Sequence, residues 1–492
     1  MNSTVHTPRL LKLRRTKIVA TIGPASRAPD VIERMMLAGV NVFRLNMSHG
    51  SQAEHRAVYE VIRAAAARNR LPIGVLADLC GPKIRVGELK DGQIELRDGA
   101  EVIVTTRDVT GQDGMIPSAY RHLAEDVREG DRILLDDGLM ELRVLAAEQA
   151  DIRCLVVNGG LLKSGKGMNL PGVTVSAPAL TNKDREDAAF ALGLGVDFLA
   201  LSFVRRADDV RELRALIGEH HRCASIIAKI EKPEALDEIE DIIQAADGIM
   251  VARGDLGVEL EAEQVPLVQD RLVELARIHN KPCIVATQML ESMIQNPRPT
   301  RAEVSDVAHA VRSAADAIML SGETAIGRFP LEAVRMMDRV ARRSEAFMWE
   351  HGKFANIVKG KKRGDAPLPL ADSVARATAR LSRDLHVRAI VVVCHSGLSV
   401  TIVSSARPAA PVIALSDSGK TCTRMTLFWG VVPEQVDGDT ATGIDQRDLP
   451  AVVRELVHRH GLGDTGDYAL LVQGFHPEPE FNVPSISTVE LL

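Results

Sequence analysis

The stretch SIIAKIEKPEALDEIEDIIQAADGIMVARGD, residues 225–255, contains one complete strand–helix–strand unit. Its apolar runs Ser225–Glu231 and Gly248–Ala252 have the nearly continuous hydrophobicity of strands that are covered on both faces. Between them, Pro233–Ala245 carries apolar residues three and four positions apart, the spacing of an amphipathic helix. Pro233 itself favours the first turn of that helix. The unit therefore predicts a strand, a helix and a second strand of an α/β fold.

The same alternation extends in both directions from this unit. The predicted strands are Thr16–Gly23, Val40–Asn46, Ile73–Asp78, Val196–Phe203, Ser225–Glu231, Gly248–Ala252, Pro282–Thr287 and Ala317–Ser321. The predicted helices are Pro29–Leu37, Gln52–Ala67, Asn182–Leu192, Ala207–Glu219, Pro233–Ala245, Glu263–Ile278, Arg301–Ala314 and Leu331–Ala346. Eight strands that alternate with eight helices predict a (β/α)8 TIM barrel.

An insert of about 100 residues, Pro82 to Pro178, interrupts the alternation between the third strand and its helix. Its short β-type runs and Asp-Gly and Asn-Gly turns are typical of a small antiparallel barrel or sandwich. Because it leaves from the carboxyl end of a strand, we expect it to cover the barrel mouth as a lid. The predicted β-barrel lid domain spans residues 82–178, and the catalytic barrel spans 1–81 and 179–350.

The last part of the chain, residues 351–492, is predicted to form a separate regulatory domain. It begins with a basic linker, Lys359–Gly364, and continues with helices and strands in alternation. Ala389–Cys394, Pro411–Leu415 and Tyr468–Gln473 have the apolar character of buried strands in a doubly wound α/β sheet.

Charge and composition exclude several classes of protein. The 492 residues carry a formal net charge of -6, which argues against nucleic acid as a partner, because phosphate backbones require a basic face. No apolar run reaches the roughly 18 residues that a membrane span needs, and Met1–Arg15 lacks the features of a signal peptide. The six cysteines are spread singly along the chain, so we expect a reduced, cytoplasmic protein.

Polar side chains follow nearly every predicted barrel strand, at the end where TIM barrels carry their active sites. Lys229 and Glu231 lie two apart on one strand, so both side chains face the barrel interior. Alone, such a pair is more often a structural ion pair. Asp255, after the next strand, adds a second carboxylate, and the two together suit Mg²⁺ or Mn²⁺. A cation beside lysine and arginine is what phosphoryl transfer requires.

Six longer motifs, taken in order, resemble those of pyruvate kinases. They are TIGPAS (21–26), RLNMSHG (44–50), IIAKIEKP (226–233), MVARGDLG (250–257), ATQMLESM (286–293) and MLSGET (319–324). The resemblance runs from about Lys17 to the last strand, with the insert in the same place. It implies transfer of a phosphoryl group from phosphoenolpyruvate to ADP, which gives pyruvate and ATP.

The resemblance also assigns roles to residues at the motif positions. Glu231 and Asp255 are implied as Mg²⁺ ligands, and Arg44 and Lys229 as groups that contact the phosphoryl group. Gly254, Asp255 and Thr287 are implied to bind the substrate carboxylate. The implied catalytic residues are Lys229, Arg44 and Thr287. The residues implied to bind the nucleotide phosphates are Asn46, His49, Arg85 and Lys166. The donor of the proton that the enolate takes up is left open: it is Thr287 or Ser321, in each case acting through a water molecule.

Two rival functions remain open from the residues alone. A metal-dependent aldolase or lyase that handles pyruvate enolate needs the same magnesium site, but it has no need for Lys166 on a lid or for Arg44 and Arg85. A non-catalytic sugar-phosphate sensor would leave the barrel as a relic, which the presence of Lys229 and Glu231 argues against.

Regulation through the C-terminal domain is a further implication of the resemblance, because relatives are usually homotetramers controlled by phosphorylated effectors. Ser396 and Ser399 lie at a predicted strand–helix turn that suits a phosphate, although an ordinary helix cap has the same pattern. Glu478 and Glu480 occupy the loop where bisphosphate-activated relatives carry glycine and threonine. We therefore expect a sugar monophosphate, or no effector, instead of fructose 1,6-bisphosphate.

The resemblance also indicates a monovalent-cation pocket formed by Asn46, Ser48, Asp78 and the carbonyl of Leu79. Relatives that require K⁺ usually have threonine in place of Leu79 and glutamate in place of Lys83. This chain has leucine and lysine, as cation-independent relatives do. If Lys83 reaches the pocket, its ammonium group supplies a positive charge of its own, so we expect that K⁺ is not required. The alternative is that Lys83 is a solvated hinge residue.

Overall fold

The computed structural model describes residues 12–354, 369–436, 448–476, 478 and 482–492. The predicted linker Lys359–Gly364, most of Met1–Arg15 and Glu480 lie outside the described residues.

The first three strands of the barrel form with the predicted helices between them. These elements are β1 (Lys17–Ile22), α1 (Pro29–Leu37), β2 (Val42–Asn46), α2 (Gln52–Asn69) and β3 (Gly74–Asp78). Pro29 occupies the first turn of α1, as predicted. Helix α2 starts with a capping box, in which the Ser51 hydroxyl accepts from the Glu54 N–H and the Glu54 carboxylate accepts from the Ser51 N–H.

The insert after β3 forms a β domain with its own apolar core. Its elements are β4 (Gln93–Leu96), β5 (Glu101–Thr105), β6 (Met115–Pro117), α3 (Leu123–Asp126), β7 (Arg132–Leu135), β8 (Met140–Glu148), β9 (Asp151–Asn158), β10 (Gly160–Lys163) and β11 (Met168–Asn169). Six strands pair in the order β11-β7-β8-β9-β5-β6, and β10 pairs with β4 in a second, two-stranded sheet. All pairs except β5 with β6 are antiparallel.

The chain then returns to the barrel and completes it. The elements are α4 (Asn182–Leu194), β12 (Phe198–Leu201), α5 (Ala207–Glu219), β13 (Ser225–Ile230), α6 (Ile239–Ala245), β14 (Gly248–Ala252), α7 (Arg253–Glu259), α8 (Val265–Ile278), β15 (Cys283–Ala286), α9 (Arg301–Arg312), β16 (Ala317–Leu320), α10 (Gly322–Ala325) and α11 (Pro330–Glu350). The eight parallel strands close in the order β1-β16-β15-β14-β13-β12-β3-β2. This confirms the predicted TIM barrel.

The structure differs from the sequence prediction mainly between β13 and β14. The predicted helix Pro233–Ala245 is a 3-10 turn, Pro233–Leu236, followed by the shorter helix α6. Two additional short helices, α7 and α10, start directly at the ends of β14 and β16. Both arise from glycine-containing segments that the periodicity does not distinguish from loops.

The C-terminal domain is a five-stranded sheet with helices on both faces. Its elements are α12 (Leu370–Asp384), β17 (Ile390–Val393), α13 (Leu398–Ser405), β18 (Val412–Ser416), α14 (Gly419–Met425), β19 (Val431–Gln435), α15 (Leu449–Arg459), β20 (Tyr468–Gln473) and β21 (Ser485–Glu490). The strand order is β19-β18-β17-β20-β21, with only β21 antiparallel to its neighbour. Helices α12–α14 pack on one face and α15 on the other, as in a doubly wound fold.

The C-terminal domain packs against the amino ends of the barrel strands, opposite the mouth. Arg407, just beyond α13, forms a buried ion pair of 2.8 Å with Asp316, the residue before β16. The amine of Lys17, at the start of β1, donates to the carbonyl of Val431 at 2.5 Å.

No helix among the described residues is long and apolar enough to cross a membrane. The six cysteines are all free, and Cys223 is exposed.

Candidate active site

A cluster of buried charges lies at the carboxyl ends of β2, β3 and β13. The Arg44 Nε donates to Asp78 Oδ2 at 2.6 Å. The Lys229 Nζ lies 3.3 Å from Asp78 Oδ1 and 2.9 Å from Glu231 Oε1. The side chains of Asp78 and Glu231 are 1% exposed, whereas those of Arg44 and Lys229 retain 11% and 12%. The carboxylates therefore lie beneath the two cations, which face the mouth.

The pKa values of this cluster follow from burial and from charge pairing. Burial acts to lower the pKa of Lys229, but the attraction of Asp78 and Glu231 outweighs it and holds that pKa above its ordinary value. Burial acts to raise the pKa of Asp78, and the attraction of Lys229 and Arg44 reverses this effect. The structure thus keeps the Lys229 ammonium charged at the mouth at neutral pH.

Two hydroxyls complete the cluster, and the sequence analysis did not assign a role to either. The Ser202 hydroxyl accepts from Lys229 Nζ at 2.6 Å and donates to the carbonyl of Leu79 at 2.7 Å. The Thr21 hydroxyl accepts from Arg44 Nη1 at 3.0 Å. Ser202 directly follows β12, but the predicted strand Val196–Phe203 included it, so the rule that polar residues after barrel strands are functional did not point to it.

The carboxylates of Glu231 and Asp255 are the groups that fit a divalent cation. Glu231 Oε2 accepts from the Phe203 N–H at 2.8 Å, which fixes the orientation of that carboxylate. Burial raises the pKa of Glu231, and repulsion from Asp255 raises it further against the pull of Lys229. A bound cation relieves that repulsion. Among the described residues no group of three or more His, Cys, Asp and Glu side chains converges. Two carboxylates with the remaining positions open are a donor set that Mg²⁺ uses together with substrate oxygens.

Lys83, at the base of the lid, lies beside this carboxylate pair. Its Nζ is 3.5 Å from Asp255 Oδ1, and both side chains are about a quarter to a third exposed. From the resemblance, Lys83 is predicted to serve the monovalent-cation pocket of Asn46, Ser48, Asp78 and Leu79. In the structure, its ion pair is with the proposed magnesium ligand.

Gly254 and Thr287, which the motifs assign to the substrate carboxylate, lie side by side, and Asp255 directly follows Gly254 in α7. The Gly254 N–H donates to the Thr287 hydroxyl at 2.7 Å, and that hydroxyl donates to the carbonyl of Ala286 at 2.7 Å. Thr287 and Gln288 both have positive φ, of 67° and 53°, which is unusual for residues with side chains and often occurs at functional sites. The Arg253 guanidinium donates to the Thr287 carbonyl at 2.8 Å and so supports this turn.

The predicted nucleotide-binding residues are divided between the barrel and the lid. His49 follows β2, and its pKa is lowered by partial burial and then by repulsion from Arg85, Arg44 and Lys83, which are close by. In the lid, Arg85 Nη1 donates to the Gly165 carbonyl at 3.0 Å. Lys166 Nζ lies 2.8 Å from Asp136 Oδ1, also in the lid. The cations thus border the mouth from two sides.

Three residues of the predicted cation pocket already have partners within the protein. The Asn46 Oδ1 accepts from the Ser48 N–H at 3.1 Å. The Leu79 carbonyl accepts from Ser202, and Asp78 lies between Arg44 and Lys229.

The predicted effector residues lie at the start of α13 in the C-terminal domain. Gly397 precedes this helix with φ of 91°, Ser396 is exposed and Ser399 is buried. His395, in this turn, lies 3.4 Å from Asp417, which directly follows β18.

Comparisons with known proteins agree with this geometry. The barrel-domain model of pyruvate kinases matches residues 13–334, and the model of their alpha/beta domain matches residues 372–483. The chain belongs to the pyruvate kinase family. A pyruvate kinase of Agrobacterium vitis is 43% identical over 471 residues, which is 94% of each chain. A pyruvate kinase of Mycobacterium intracellulare is 43% identical over 94% of this chain and 96% of its own.

A solved structure supports the same assignment. A pyruvate kinase from Cryptosporidium parvum superposes with a TM-score of 0.89 at 33% identity and covers 97% of both chains. The predicted family, fold and class of enzyme, a phosphotransferase, are therefore confirmed.

Proposed function

We propose that this chain transfers the phosphoryl group of phosphoenolpyruvate to ADP at the barrel mouth, giving pyruvate and ATP. The observation that carries the proposal is the position of Lys229. Its ammonium is held charged by Asp78 and Glu231, at the edge of the cleft and beside Arg44. Phosphoryl transfer depends mainly on positioned positive charge, because charge spreads over the phosphoryl oxygens in the transition state.

Substrate binding follows from the same geometry. Arg44 and Lys229 both retain exposed surface at the mouth, so in this proposal they bind the phosphate of phosphoenolpyruvate. Gly254, Asp255 and Thr287 bind the substrate carboxylate in this proposal, with the Gly254 N–H and the Thr287 hydroxyl exchanging their bonds within the turn for bonds to it. Asn46, His49, Arg85 and Lys166 bind the nucleotide phosphates from the barrel and the lid.

Glu231 and Asp255 hold Mg²⁺ or Mn²⁺ in this proposal. The cation, when bound, neutralises charge on the substrate oxygens and orients them. Phe203 and Lys229 fix the Glu231 carboxylate, and Asp255 lies at the more exposed side of the pair. Lys229 then stabilises both the phosphoryl group in transit and the enolate that remains.

The enolate proton comes from water held by Thr287 or by Ser321. The Thr287 hydroxyl is engaged with the Ala286 carbonyl, and the Ser321 N–H donates to Glu323 Oε2 at 2.7 Å. The rate of proton exchange from pyruvate into solvent, measured in Thr287→Val and Ser321→Ala, separates the two. The variant that loses exchange identifies the residue.

Regulation is proposed on the resemblance and on the turn before α13. The chain acts as a homotetramer, and Ser396 and Ser399 belong to a site for a sugar monophosphate. Glu478, in the described part of the loop after β20, disfavours a second phosphate. Strong activation by micromolar fructose 1,6-bisphosphate would overturn this part of the proposal.

A coupled assay tests the main function. Pyruvate formation from phosphoenolpyruvate is measured with ADP and Mg²⁺, and with each omitted in turn. Turnover that depends on both supports the proposal. Pyruvate formation without ADP indicates a lyase or aldolase, and no turnover at all indicates a sensor.

A further inference from the structure

A second buried ion pair lies beside the proposed magnesium site but outside the residues that contact substrate. Lys232 Nζ is 2.5 Å from Glu259 Oε1, with side chains 9% and 1% exposed. Burial of two charges is costly unless their geometry is good, and a buried pair is by itself weak support for stability. Its position in the fold gives it a more specific role.

The pair connects the two elements that carry the proposed metal ligands. Lys232 directly follows Glu231 beyond the end of β13. Glu259 is the last residue of α7 and lies four positions after Asp255, so the two carboxylates lie on the same side of that helix. An attraction between Lys232 and Glu259 therefore draws together the segments that hold Glu231 and Asp255.

The lid contacts the same helix. The Asn169 amide, in β11, donates to Glu259 Oε1 at 3.4 Å. Gly138, in the turn between β7 and β8, lies against Val258, since a Cβ added there would be 3.8 Å from its Cγ1. Glu259 Oε2 is buried and has no hydrogen-bond partner among the described residues. The carboxylate is thus held from two directions, by the barrel and by the lid.

The other end of α7 is fixed separately. Arg253 forms an ion pair of 2.6 Å with Asp306 and donates to the Thr287 carbonyl. Asp255 lies between this anchor and Glu259, so both ends of the short helix determine where its carboxylate points. Loss of the Glu259 anchor leaves the Arg253–Asp306 ion pair and the contact of Lys83 with Asp255 as charged contacts that hold α7.

We propose that Lys232 and Glu259 are positioning residues that set the separation of Glu231 and Asp255 and thereby the affinity for the divalent cation. The inference rests on the proposed function, because it takes these two carboxylates as the metal ligands. Groups that orient metal ligands typically change metal affinity by about 10- to 100-fold when they are removed.

A double variant tests the role without leaving a lone buried charge. Removing one partner alone leaves the other uncompensated and destabilises the fold, whereas replacing both is often tolerated. Lys232→Met combined with Glu259→Gln removes both charges and keeps an amide near Asn169. The matched control is Arg214→Met with Asp247→Asn, which removes an ion pair of 3.0 Å between α5 and the amino end of β14, far from the mouth.

The measurement is the binding of Mn²⁺ to the free enzyme, followed by electron paramagnetic resonance without substrates, together with the thermal midpoint of unfolding. We expect the double variant to unfold within a few degrees of the wild type and to bind Mn²⁺ at least about 10-fold more weakly. The control pair is expected to bind Mn²⁺ as the wild type does. Mn²⁺ binding within twofold of the wild type in the double variant would overturn the proposal.

Glu231→Gln separates failure of this inference from failure of the proposed site. If Glu231→Gln loses Mn²⁺ binding while the double variant retains it, the proposed metal site is supported and the positioning role of Lys232 and Glu259 is wrong. If Glu231→Gln binds Mn²⁺ as the wild type does, both the proposed metal site and the positioning role are wrong. A loss of affinity in both variants supports both.

Discussion

Lys17 and Lys229 are buried lysines at opposite ends of the barrel, and they have opposite environments. Lys229 lies at the mouth, where its Nζ is 2.9 Å from Glu231 and 3.3 Å from Asp78. Lys17 lies at the amino end of β1, where its Nζ donates to the carbonyl of Val431 in the C-terminal domain. One ammonium is paired with carboxylates, and the other with a neutral peptide group.

The pKa values of the two lysines show the consequence. Burial acts to lower both pKa values, but the carboxylates beside Lys229 reverse the effect. At Lys17, repulsion from Arg14 and Arg15 adds to burial and lowers the pKa to about 7. The barrel therefore uses carboxylates to secure positive charge at the mouth, whereas at the amino end it tolerates a lysine that loses its proton easily.

The amino end also contains charges whose partners lie within the protein. Arg407 pairs with Asp316, donates to the Ala314 carbonyl at 2.8 Å and lies over the Trp429 ring. Asp316 in turn accepts from the Trp429 N–H at 3.1 Å. These bonds join the domains. At the mouth, by contrast, the cations remain partly exposed and available to a ligand.

The largest expected effect is on catalysis, from Lys229→Met. Removing one positioned charge from a phosphoryl-transfer site typically lowers kcat by about 10²–10³ or more. The barrel should remain folded, because Arg44 still neutralises Asp78. Steady-state kcat and thermal unfolding are measured together.

Lys17→Met is the matched control for Lys229→Met, since it removes a buried ammonium from the same barrel away from substrate. Its kcat should stay within about twofold of the wild type. A near-wild-type kcat in Lys229→Met would contradict the proposed mechanism.

Next in size is the loss of stability from Arg407→Met at the amino end. Removing one member of a buried ion pair costs about 3–5 kcal/mol. We expect about 3 kcal/mol, the low end of that range, because Asp316 still accepts from Trp429 and from the Cys283 N–H. Denaturant unfolding measures this loss of unfolding free energy, and kcat of the folded fraction should not change. A fall in kcat without a loss of stability would show that the amino end of the barrel influences catalysis at the mouth, against the separation of the two ends.

A smaller effect concerns the pH dependence of stability. The unfolded pKa of lysine is about 10.4, and that of buried Lys17 is about 7, so between these values the unfolded state binds more protons. The free energy of unfolding of the wild type, relative to Lys17→Met, should therefore rise with pH, by at most about 1.4 kcal/mol per unit.

Urea unfolding of the wild type and Lys17→Met between pH 7 and pH 9.5 measures this slope. Lys229 should contribute no slope in this window, because its raised pKa keeps it charged in both states. A pH-independent difference between the wild type and Lys17→Met would show that Lys17 keeps its proton when buried.

The mouth could be predicted from the sequence to a greater extent than the amino end. Lys229 lies near the end of an apolar strand, and Glu231 and Asp255 follow such strands, so strand geometry places all three at one rim. Arg407 and Lys17 gave no comparable signal, because their partners are residues distant in the sequence and peptide carbonyls. Only the docking of the C-terminal domain brings these groups together.

Within the site, the sequence also failed to predict contacts made by backbone or by residues of ordinary appearance. Ser202 seemed part of a strand, and the Phe203 N–H has no sequence signature although it orients Glu231. The position of Lys83 beside Asp255 depends on how the lid leaves β3, which residue patterns do not specify.

The smallest expected effect is that of K⁺ on turnover, which should be close to none. The resemblance implies that relatives that require K⁺ usually carry glutamate where this chain has Lys83. The Lys83 ammonium lies 3.5 Å from Asp255 and close enough to His49 to lower the pKa of that ring. It therefore adds a fixed positive charge at the mouth, where a highly anionic substrate binds, and replaces the charge that K⁺ otherwise brings.

Initial rates are measured with Mg²⁺ and a tetramethylammonium counter-ion, with and without KCl at fixed ionic strength. Lys83→Glu reverses the charge beside Asp255, so it should lose activity without K⁺ and regain it when K⁺ is added. Lys83→Met, which removes the charge without reversing it, is the intermediate control and should show a weaker dependence. A wild-type rate that rises more than a few-fold on addition of K⁺ would show that Lys83 does not supply this charge, and that the pocket of Asn46, Ser48 and Asp78 binds the ion despite the lysine.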